Sequence, residues 1–556
     1  MTETAAIAQP PTRRWVRGVD GRTLTISVVL IVLSLVTSRL VRRRPLGDVQ
    51  PLGGMIRLTK RVPGRSAAVD QRPIDQDVER VRMGDQGLMA RLRRWEIRTR
   101  PVDSEAAAAA ARRWAELPEH VKTDGQLVGR RSTGCEGTHG VFPACDFACK
   151  PCYHSKDANK VRVDGVHTLG KVSSQMAFLR EHRGPAAFAQ LIGGEVSLLA
   201  PEDHAAALEV MRANGRSPMS MTHGDFDEEY LHQVVLREDG TRRFDSVSFA
   251  AHIDSTMYGR RGNEKPQSEA ELHEHRQRFT DMFARLRSAH GVRSYLAHNM
   301  TVTPDNLGEV ADVIGASRRQ GWRMFSFQPA AYVGSEVRWR EGFRSMTDDD
   351  VWTQIELGAG RALPYRVLQF GDTRCNRTSW GVFVADRYVP LLEEDDPADL
   401  AARDAYLHYL PGNYMTESNT FVKALRVTRL LIRRPRLVLV AGGWIRRFVR
   451  RAGGLRAMRS GVQPVTFVMH SFMDAVVVAP AWELLRRGET ASDPAVLAAQ
   501  ERLQACTYTM AHPESAELVP ACVQHSLFDP DENRQLAQLL PLPTRRSPFP
   551  PQVRSC

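Results

Sequence analysis

The sequence predicts an α/β protein built around a parallel sheet, in the arrangement of a partial (βα)6 barrel. From about residue 135 onward, short apolar runs alternate with helical stretches, which is the pattern of parallel strands joined by helices. Three close cysteines follow the first predicted strand, and in βα barrels the chemistry lies at the C-terminal ends of the strands. The composition, with 42% hydrophobic and 25% charged residues, is globular and excludes collagen-like and wholly disordered classes.

The predicted elements follow one another in a regular order. Helical stretches precede the barrel at residues 75–98 and 104–117. After the first strand, further strands are predicted at residues 187–192, 218–222, 245–250, 294–302 and 324–328. Helices between them are predicted at residues 201–214, 268–290 and 304–320. The first of these helices carries Pro201 at its start, where proline is favoured.

A chain of 556 residues is too long for one ordinary core and suits several structural units. We predict these segments: an N-terminal tail and single transmembrane anchor (1–44), a helical linker region (45–130), the core barrel (131–335), a bridging region (336–420), a basic amphipathic membrane-surface segment (421–460), a C-terminal auxiliary domain (461–540) and a disordered tail (541–556).

The anchor prediction depends on one apolar run. Sixteen uncharged residues lie between Arg22 and Arg39, and as a helix they rise roughly 24 Å. The hydrocarbon core is roughly 30 Å thick, and two further apolar residues extend the run if Arg39 snorkels. A signal peptide and a buried core segment are the alternatives, but arginines at 42–44 replace a cleavage site. These arginines favour a cytoplasmic C-terminal side, so we expect the cytoplasmic face of the plasma membrane, single-pass or monotopic.

The eight cysteines are too sparse for a secreted disulfide scaffold, which favours a reducing compartment. Three of them, Cys145, Cys149 and Cys152 (the first cysteine set), have the spacing C-x3-C-x2-C. Three thiolates so close can hold three irons of a [4Fe–4S] cluster and leave the fourth iron open. Half of a zinc site is the alternative, but His154 lies too close to Cys152 in the chain to join the same metal easily.

One predicted βα unit later the chain reads Gly193-Gly194-Glu195. Together with the cysteine spacing, this motif resembles the signature of the radical S-adenosylmethionine (radical SAM) family. The resemblance implies that the open iron chelates the methionine moiety of S-adenosylmethionine and that the Gly-Gly-Glu residues bind its amino group. It also implies a 5′-deoxyadenosyl radical as the reactive species and a reducing partner such as ferredoxin or flavodoxin.

Further polar residues follow the predicted strands and are candidates for contact with the cofactor or substrate. Any one of them alone is about as often a hydrogen-bonded residue of the core as a residue that contacts a ligand. The cofactor-binding candidates are Tyr153, Ser248, Asn299 and Gln328, and His223, Asp225, His252 and His298 have the same status. No catalytic side chain is assigned beyond the cluster ligands.

Three later cysteines, Cys375, Cys506 and Cys522 (the second cysteine set), form another constellation. Scattered cysteines are often buried small hydrophobes. However, the Cys375-Asn376 pair and the late pair of cysteines resemble a radical SAM subset that includes the archaeal tetraether lipid synthases. That resemblance implies an auxiliary [4Fe–4S] cluster, for which Cys135 or an open iron would complete the coordination.

The net charge of +12 comes from one segment, because residues 421–459 contain twelve Lys and Arg and no acidic residue. Without these twelve, the 76 basic residues fall to 64 and equal the 64 acidic ones. The segment interleaves arginines with aliphatic residues, which favours an interfacial helix pair on anionic lipid. The alternative is a surface that binds RNA or an acidic partner, but this segment has few aromatic side chains that could stack on bases.

These patterns predict a membrane-associated radical SAM enzyme that abstracts hydrogen from a lipid or other hydrophobic substrate. Membrane lipids are the expected partners, and no nucleic acid is expected. One alternative is a radical SAM maturase of a peptide or protein that uses an auxiliary cluster. A second alternative is a non-catalytic membrane-tethered iron–sulfur protein, against which the Gly-Gly-Glu motif argues.

Overall fold

The structure, a computed structural model, covers part of the chain and divides into two units. It describes residues 89, 92, 95, 96, 99, 100, 102–153, 156–185, 187–334, 338–412 and 420–542. Residues 102–412 and 443–542 belong to a first compact unit, and the described residues before 101 belong with 420–442 to a second. The predicted transmembrane anchor and the predicted disordered tail from 543 onward lie outside the described residues.

An eleven-stranded sheet is the framework of the first unit. Its strands run in the spatial order β10-β9-β11-β8-β7-β5-β4-β3-β1-β12-β13. Their bounds are β1 (Cys135–Gly137), β3 (Ala187–Leu191), β4 (Arg216–Thr222), β5 (Ser246–His252), β7 (Arg293–Val302), β8 (Met324–Pro329), β9 (Asn376–Val384), β10 (Arg387–Pro390), β11 (Val462–His470), β12 (Tyr508–His512) and β13 (Glu517–Pro520). A separate two-stranded ribbon pairs β2 (Ala148–Cys149) with β6 (Met257–Tyr258).

The six strands β1, β3, β4, β5, β7 and β8 are parallel neighbours in that order, which confirms the predicted parallel core. Strand ends lie within a few residues of the predicted ones. The predicted helix at 304–320 is shorter than expected, since its regular part covers only Val310–Ser317. Residues 303–309 instead form a capped turn, in which the Asn306 side chain accepts a hydrogen bond from the Thr303 amide at 2.8 Å.

Helices connect the parallel strands and flank the sheet. Aspartate side chains cap the starts of several of them, for example Asp164, which accepts a hydrogen bond from the His167 amide. From residue 102 onward, the α-helices within the described ranges are α1 (Ser104–Glu116), α2 (Gly165–Arg183), α3 (Pro201–Ala213), α4 (Glu228–Val235), α5 (His273–His290), α6 (Val310–Ser317), α7 (Asp348–Ala359), α8 (Pro397–Tyr409), α9 (Thr420–Arg433), α10 (Arg436–Arg451), α11 (Gly454–Met458), α12 (Ala475–Arg487), α13 (Pro494–Gln504), α14 (Ala521–Val523) and α15 (Asp529–Leu539).

The two faces of the sheet have different environments because strand side chains alternate in direction. In β5, Phe249 and Ala251 belong to the main apolar core, which the helices cover. Ala250 and His252 of the same strand line a cavity on the other face. Each fully buried large apolar side chain contributes roughly 1.5–3 kcal/mol, so the helix-covered face stabilises the unit while the cavity face is left for a ligand.

The segments after the barrel extend the same sheet on both sides. β11 joins β8 in parallel, whereas β12 joins β1 in parallel at the far side. The predicted auxiliary domain at 461–540 therefore shares its sheet with the barrel. Near the two sheet ends, the Asn376 side chain donates a hydrogen bond to the Thr507 hydroxyl at 3.2 Å. We call residues 371–376 and 505–508 the seam, because they join opposite ends of the curved sheet.

The basic segment is partly tied to the first unit. Arg447 and Arg451 of α10 form ion pairs with the buried Asp399 carboxylate at 2.8 and 2.6 Å. Two of the twelve basic groups therefore compensate an acidic stretch of the protein itself. In contrast, Ile432 and Leu439 are 74% and 48% exposed. Among the helices within the described ranges, none combines the length and the apolar content needed to cross a membrane.

Candidate active site

A cavity of about 290 Å³ lies against the concave face of the sheet. Every parallel strand of the barrel contributes side chains to its wall. All seven cysteines of the described residues line it: Cys135, Cys145, Cys149, Cys152, Cys375, Cys506 and Cys522. The first and second cysteine sets, which are far apart in the sequence, thus face the same cavity.

Backbone contacts fix the loop that carries the first cysteine set. Cys149 lies in β2 and pairs with Met257, and the Lys150 amide donates to the Thr256 carbonyl at 3.0 Å. The Cys145 amide donates to the Asn159 side chain at 2.9 Å. These contacts hold the loop against the end of the sheet.

The first cysteine set has donor chemistry that fits a metal cluster. Burial raises the pKa of Cys145 to about 12. A hydrogen bond with Cys152 and burial together raise the pKa of Cys149 well above its usual value. All three cysteines are half-buried, and the raised pKa values of Cys145 and Cys149 mean that these thiols resist deprotonation unless a cation, such as a bound metal, compensates their charge. The described residues also contain one compact group, Cys145, Asp146 and His223, whose ligand atoms lie within 4.8 Å of one another.

The two glycines of the Gly-Gly-Glu turn admit the polypeptide that leads into the cysteine loop. The Gly194 amide donates to the Phe142 carbonyl at 2.7 Å, and the Glu195 amide donates to the Ala144 carbonyl at 2.9 Å. A Cβ at Gly194 would lie 2.0 Å from the Ala144 carbonyl oxygen. The family resemblance implied that these residues bind the amino group of the cofactor. The structure instead gives each glycine a protein neighbour, although both line the cavity.

Four protein donors hold the buried Glu195 carboxylate. The amide and hydroxyl of Ser197 donate to Oε1 at 3.0 and 2.7 Å, and the Thr222 hydroxyl donates to the same oxygen at 2.6 Å. The His223 amide donates to Oε2 at 2.7 Å. Because a carboxylate has about four acceptor positions over its two oxygens, Oε2 retains room for one further donor.

His223 links Glu195 to the cysteine loop. Its Nδ1 accepts a hydrogen bond from the Asp225 amide at 3.0 Å, which leaves the proton on Nε2. Nε2 donates to the Asp146 carboxylate at 2.8 Å and holds the pKa of Asp146 below its usual range. The Phe147 ring stacks on the imidazole with centroids 3.9 Å apart. The candidates His223 and Asp225 therefore support the loop.

The other predicted residues divide into those that face the cavity and those that do not. Asn299 and Gln328 line it, and Gln328 Oε1 is buried with no hydrogen-bond partner in the described parts of the chain. Tyr153 also lines it and donates to the Gly193 carbonyl at 3.2 Å. Ser248 is not among the lining residues, because it lies four positions before the end of β5. His298 is fully buried on the helix-covered face, where Arg276 donates to its Nε2.

The second cysteine set converges from three separate segments beside the seam. Burial and the nearby sulfur of Cys506 raise the pKa of Cys522 to about 12. The Cys375 pKa rises to about 11, again mainly through burial. The Arg502 guanidinium donates to Cys375 Sγ at 3.2 Å and to the Ser471 carbonyl at 2.9 Å. These thiols also fit a metal centre, and one of them, Cys375, already has a cationic neighbour in Arg502.

Sequence reasoning missed many cavity residues, and three of them carry groups that could bind a ligand. Arg502 is on α13, His470 ends β11, and His525 lies in a π-helical turn at Gln524–Phe528. Only His470 had a signal, since a polar residue that ends a strand parallel to the barrel strands is expected at the functional end. His525 Nδ1 hydrogen-bonds the Asp529 carboxylate at 2.7 Å, and its ring packs on Tyr153.

No family model and no curated protein matches this chain. Streptococcus suis SuiB bound to its precursor peptide SuiA is similar over 35% of this chain and 38% of that chain, with 10% identity and a TM-score of 0.24. Native anSMEcpe with bound AdoMet and Cp18Cys peptide is similar over 40% of this chain and 57% of that chain, with 14% identity and a TM-score of 0.28. This chain thus spans well under two thirds of either protein, and TM-scores this low carry no conclusion.

Proposed function

We propose that the protein is a radical SAM enzyme whose cofactors are a [4Fe–4S] cluster on the first cysteine set and S-adenosylmethionine. One observation carries the proposal: the Gly-Gly-Glu turn and the approach to the cysteine loop are joined by backbone hydrogen bonds at the wall of one cavity. A protein that used only a buried histidine or a single reactive cysteine would not need backbone hydrogen bonds between these two segments. The arrangement places the proposed cluster next to the turn that would bind S-adenosylmethionine.

The residues around the cavity have distinct parts in this proposal. A cluster held by the first cysteine set would supply the electron that cleaves the sulfonium of S-adenosylmethionine, which would give the 5′-deoxyadenosyl radical. Glu195 Oε2 accepts a hydrogen bond from the amino group of the cofactor, while the other donors to Glu195 hold the carboxylate in place. Gln328 Oε1 is available to a hydroxyl or amino group of the ligand. The buried walls exclude water from the reacting atoms.

The substrate in this proposal is hydrophobic, with a lipid as the first choice. Much of the cavity wall is apolar, with contributions from Met219, Met221, Met324, Phe472 and Met473. The exposed aliphatic side chains of α9 and α10, together with their arginines, support attachment to an anionic membrane surface. The second cysteine set would hold an auxiliary cluster in the same cavity, where the cluster could take an electron from the product radical or bind the substrate.

Anaerobic reconstitution with iron counting tests the core proposal, combined with an assay of 5′-deoxyadenosine after reduction with S-adenosylmethionine present. We expect about eight irons per chain, for two four-iron clusters, and deoxyadenosine. About four irons with deoxyadenosine would keep the enzyme and remove the auxiliary cluster. Absence of deoxyadenosine from a fully loaded protein would overturn the radical SAM proposal and favour an iron–sulfur protein without catalysis.

The substrate class is tested separately. Lipid extracts from a strain that lacks the protein are compared by mass spectrometry with those of a complemented strain. A lipid that differs by hydrogen content or by a new carbon bond supports the lipid proposal. Unchanged lipids, together with an altered peptide or protein, would replace it with peptide maturation.

A further inference from the structure

His470 lies beside the second cysteine set. It ends β11, lines the cavity and pairs in register with Asn376, the residue after Cys375. The following segment reaches two members of the set. The Ser471 amide donates to the Cys375 carbonyl at 2.8 Å, and the Met473 amide donates to Cys522 Sγ at 3.5 Å.

Asn376 orients the imidazole. The Asn376 side-chain oxygen accepts a hydrogen bond from His470 Nδ1, so that nitrogen carries the proton. The Asn376 amide group donates to Thr507, the residue after Cys506. The same asparagine therefore connects His470 with the neighbours of two cysteines of the set.

The remaining nitrogen of His470 is free to bind a ligand. Nε2 has no hydrogen-bond partner among the described residues, and with Nδ1 protonated it carries the lone pair. Metal-ligating histidines almost always donate their other ring N–H to a carbonyl or carboxylate oxygen, as His470 does to Asn376. Imidazole ligates iron in some iron–sulfur clusters.

We propose that His470 Nε2 is the fourth protein ligand of an iron–sulfur cluster held by the second cysteine set. The inference rests on the proposed function, since it needs an auxiliary cluster. The competing ligand is Cys135, which lines the same cavity. It lies on β1, the strand that pairs with β12, and the Gln190 amide group hydrogen-bonds its sulfur. Histidine in place of cysteine raises the reduction potential of the cluster that it ligates.

The test separates this cluster from the first one. A variant with Cys145→Ala, Cys149→Ala and Cys152→Ala is reconstituted with iron and sulfide, after growth with 15N-labelled histidine. We expect about four irons and, in pulsed EPR of the reduced cluster, a hyperfine coupling from one 15N nucleus. His470→Ala removes the coupling. His470→Cys retains the iron, removes the coupling and lowers the reduction potential.

His252→Ala is the matched control, because His252 also lines the cavity but bonds Thr301, and it retains the coupling. Iron without nitrogen coupling would overturn the His470 inference alone. Loss of iron on Cys135→Ser in that background would make Cys135 the ligand. If the triple variant holds no iron and the unsubstituted chain binds only about four, the auxiliary cluster fails and this inference fails with it. Bound zinc instead of iron would overturn it as well.

Discussion

The two cysteine sets line one cavity but are built in different ways. The first set lies on a single loop, which local backbone hydrogen bonds hold against the Gly-Gly-Glu turn. In the second set, Cys506 and Cys522 flank the β12–β13 hairpin, and Cys375 joins them only where the sheet closes at the seam. A local site can be read from the spacing of residues, whereas a dispersed site depends on the whole fold. The two centres should therefore respond differently to substitution.

The largest difference is expected from removal of one ligand. Cys149→Ala should lower deoxyadenosine formation to the background, because the radical-generating cluster loses a thiolate. Cys506→Ala should remove the auxiliary cluster and leave deoxyadenosine formation in place. Both variants should bind about four irons per chain, against about eight in the unsubstituted protein. Equal deoxyadenosine rates in the two variants would contradict the separate roles of the sets.

Overpacking at the Gly-Gly-Glu turn should affect the first set specifically. Gly194→Ala places a methyl group against the Ala144 carbonyl, and the strain should destabilise the protein by about 3 kcal/mol. Gly170→Ala is the control, because that glycine lies in α2 with open space around it and should stabilise by about 0.5–1 kcal/mol. Urea unfolding measures both. An unchanged midpoint for Gly194→Ala would mean that the turn is not packed as described.

The seam should be the weak point of the second set. Asn376→Ala leaves Thr507 and His470 without their shared partner and should cost about 2 kcal/mol. Hydrogen exchange should then increase at residues 371–376 and 505–508, with little change at 145–152. Thr507→Val, which removes a single contact, should have a smaller effect. Increased exchange at the first loop as well would show that the two sets are not independent.

The smallest expected effect is a pH dependence at His139. Its Nε2 donates to the Ala511 carbonyl and its Nδ1 to the Glu532 carboxylate, and despite burial these contacts raise its pKa. A raised folded-state pKa stabilises the protein fully below about pH 6.5, and this stabilisation is lost as the pH rises through the folded-state value. Unfolding free energies at mildly acidic and alkaline pH should therefore differ. The difference should shrink in Glu532→Gln.

The success of the sequence predictions differs in the same way between the local first set and the dispersed second set. The parallel strands and the first cysteine set were predictable, because periodic apolar runs and close cysteine spacing are local signals. The convergence of the second set on the cavity was suggested by resemblance alone. The missed residues Arg502 and His525 lie on helices with no special pattern. Ser248 was misplaced because strand periodicity does not say how far along a strand the cavity reaches, whereas His298 lies on the opposite face of its strand from Asn299.

The sequence alone also did not predict what packs against the Gly-Gly-Glu turn. Glycine spacing indicates a close approach but does not say what approaches. Here the polypeptide at residues 142–144 occupies that space. Similarly, the basic segment was interpreted only as a surface for an external partner, although the structure pairs Arg447 and Arg451 with Asp399.

The pairing of β1 with β12 has a consequence for biosynthesis. The ribosome makes β1 early and β12 near the end of the chain, so one edge of β1 is without its partner while most of the protein is synthesised. Exposed strand edges promote aggregation, and this one stays open for a time on the order of tens of seconds. The first cysteine loop emerges well before the second set is complete. Iron delivered before Cys522 emerges would therefore reach the first site alone.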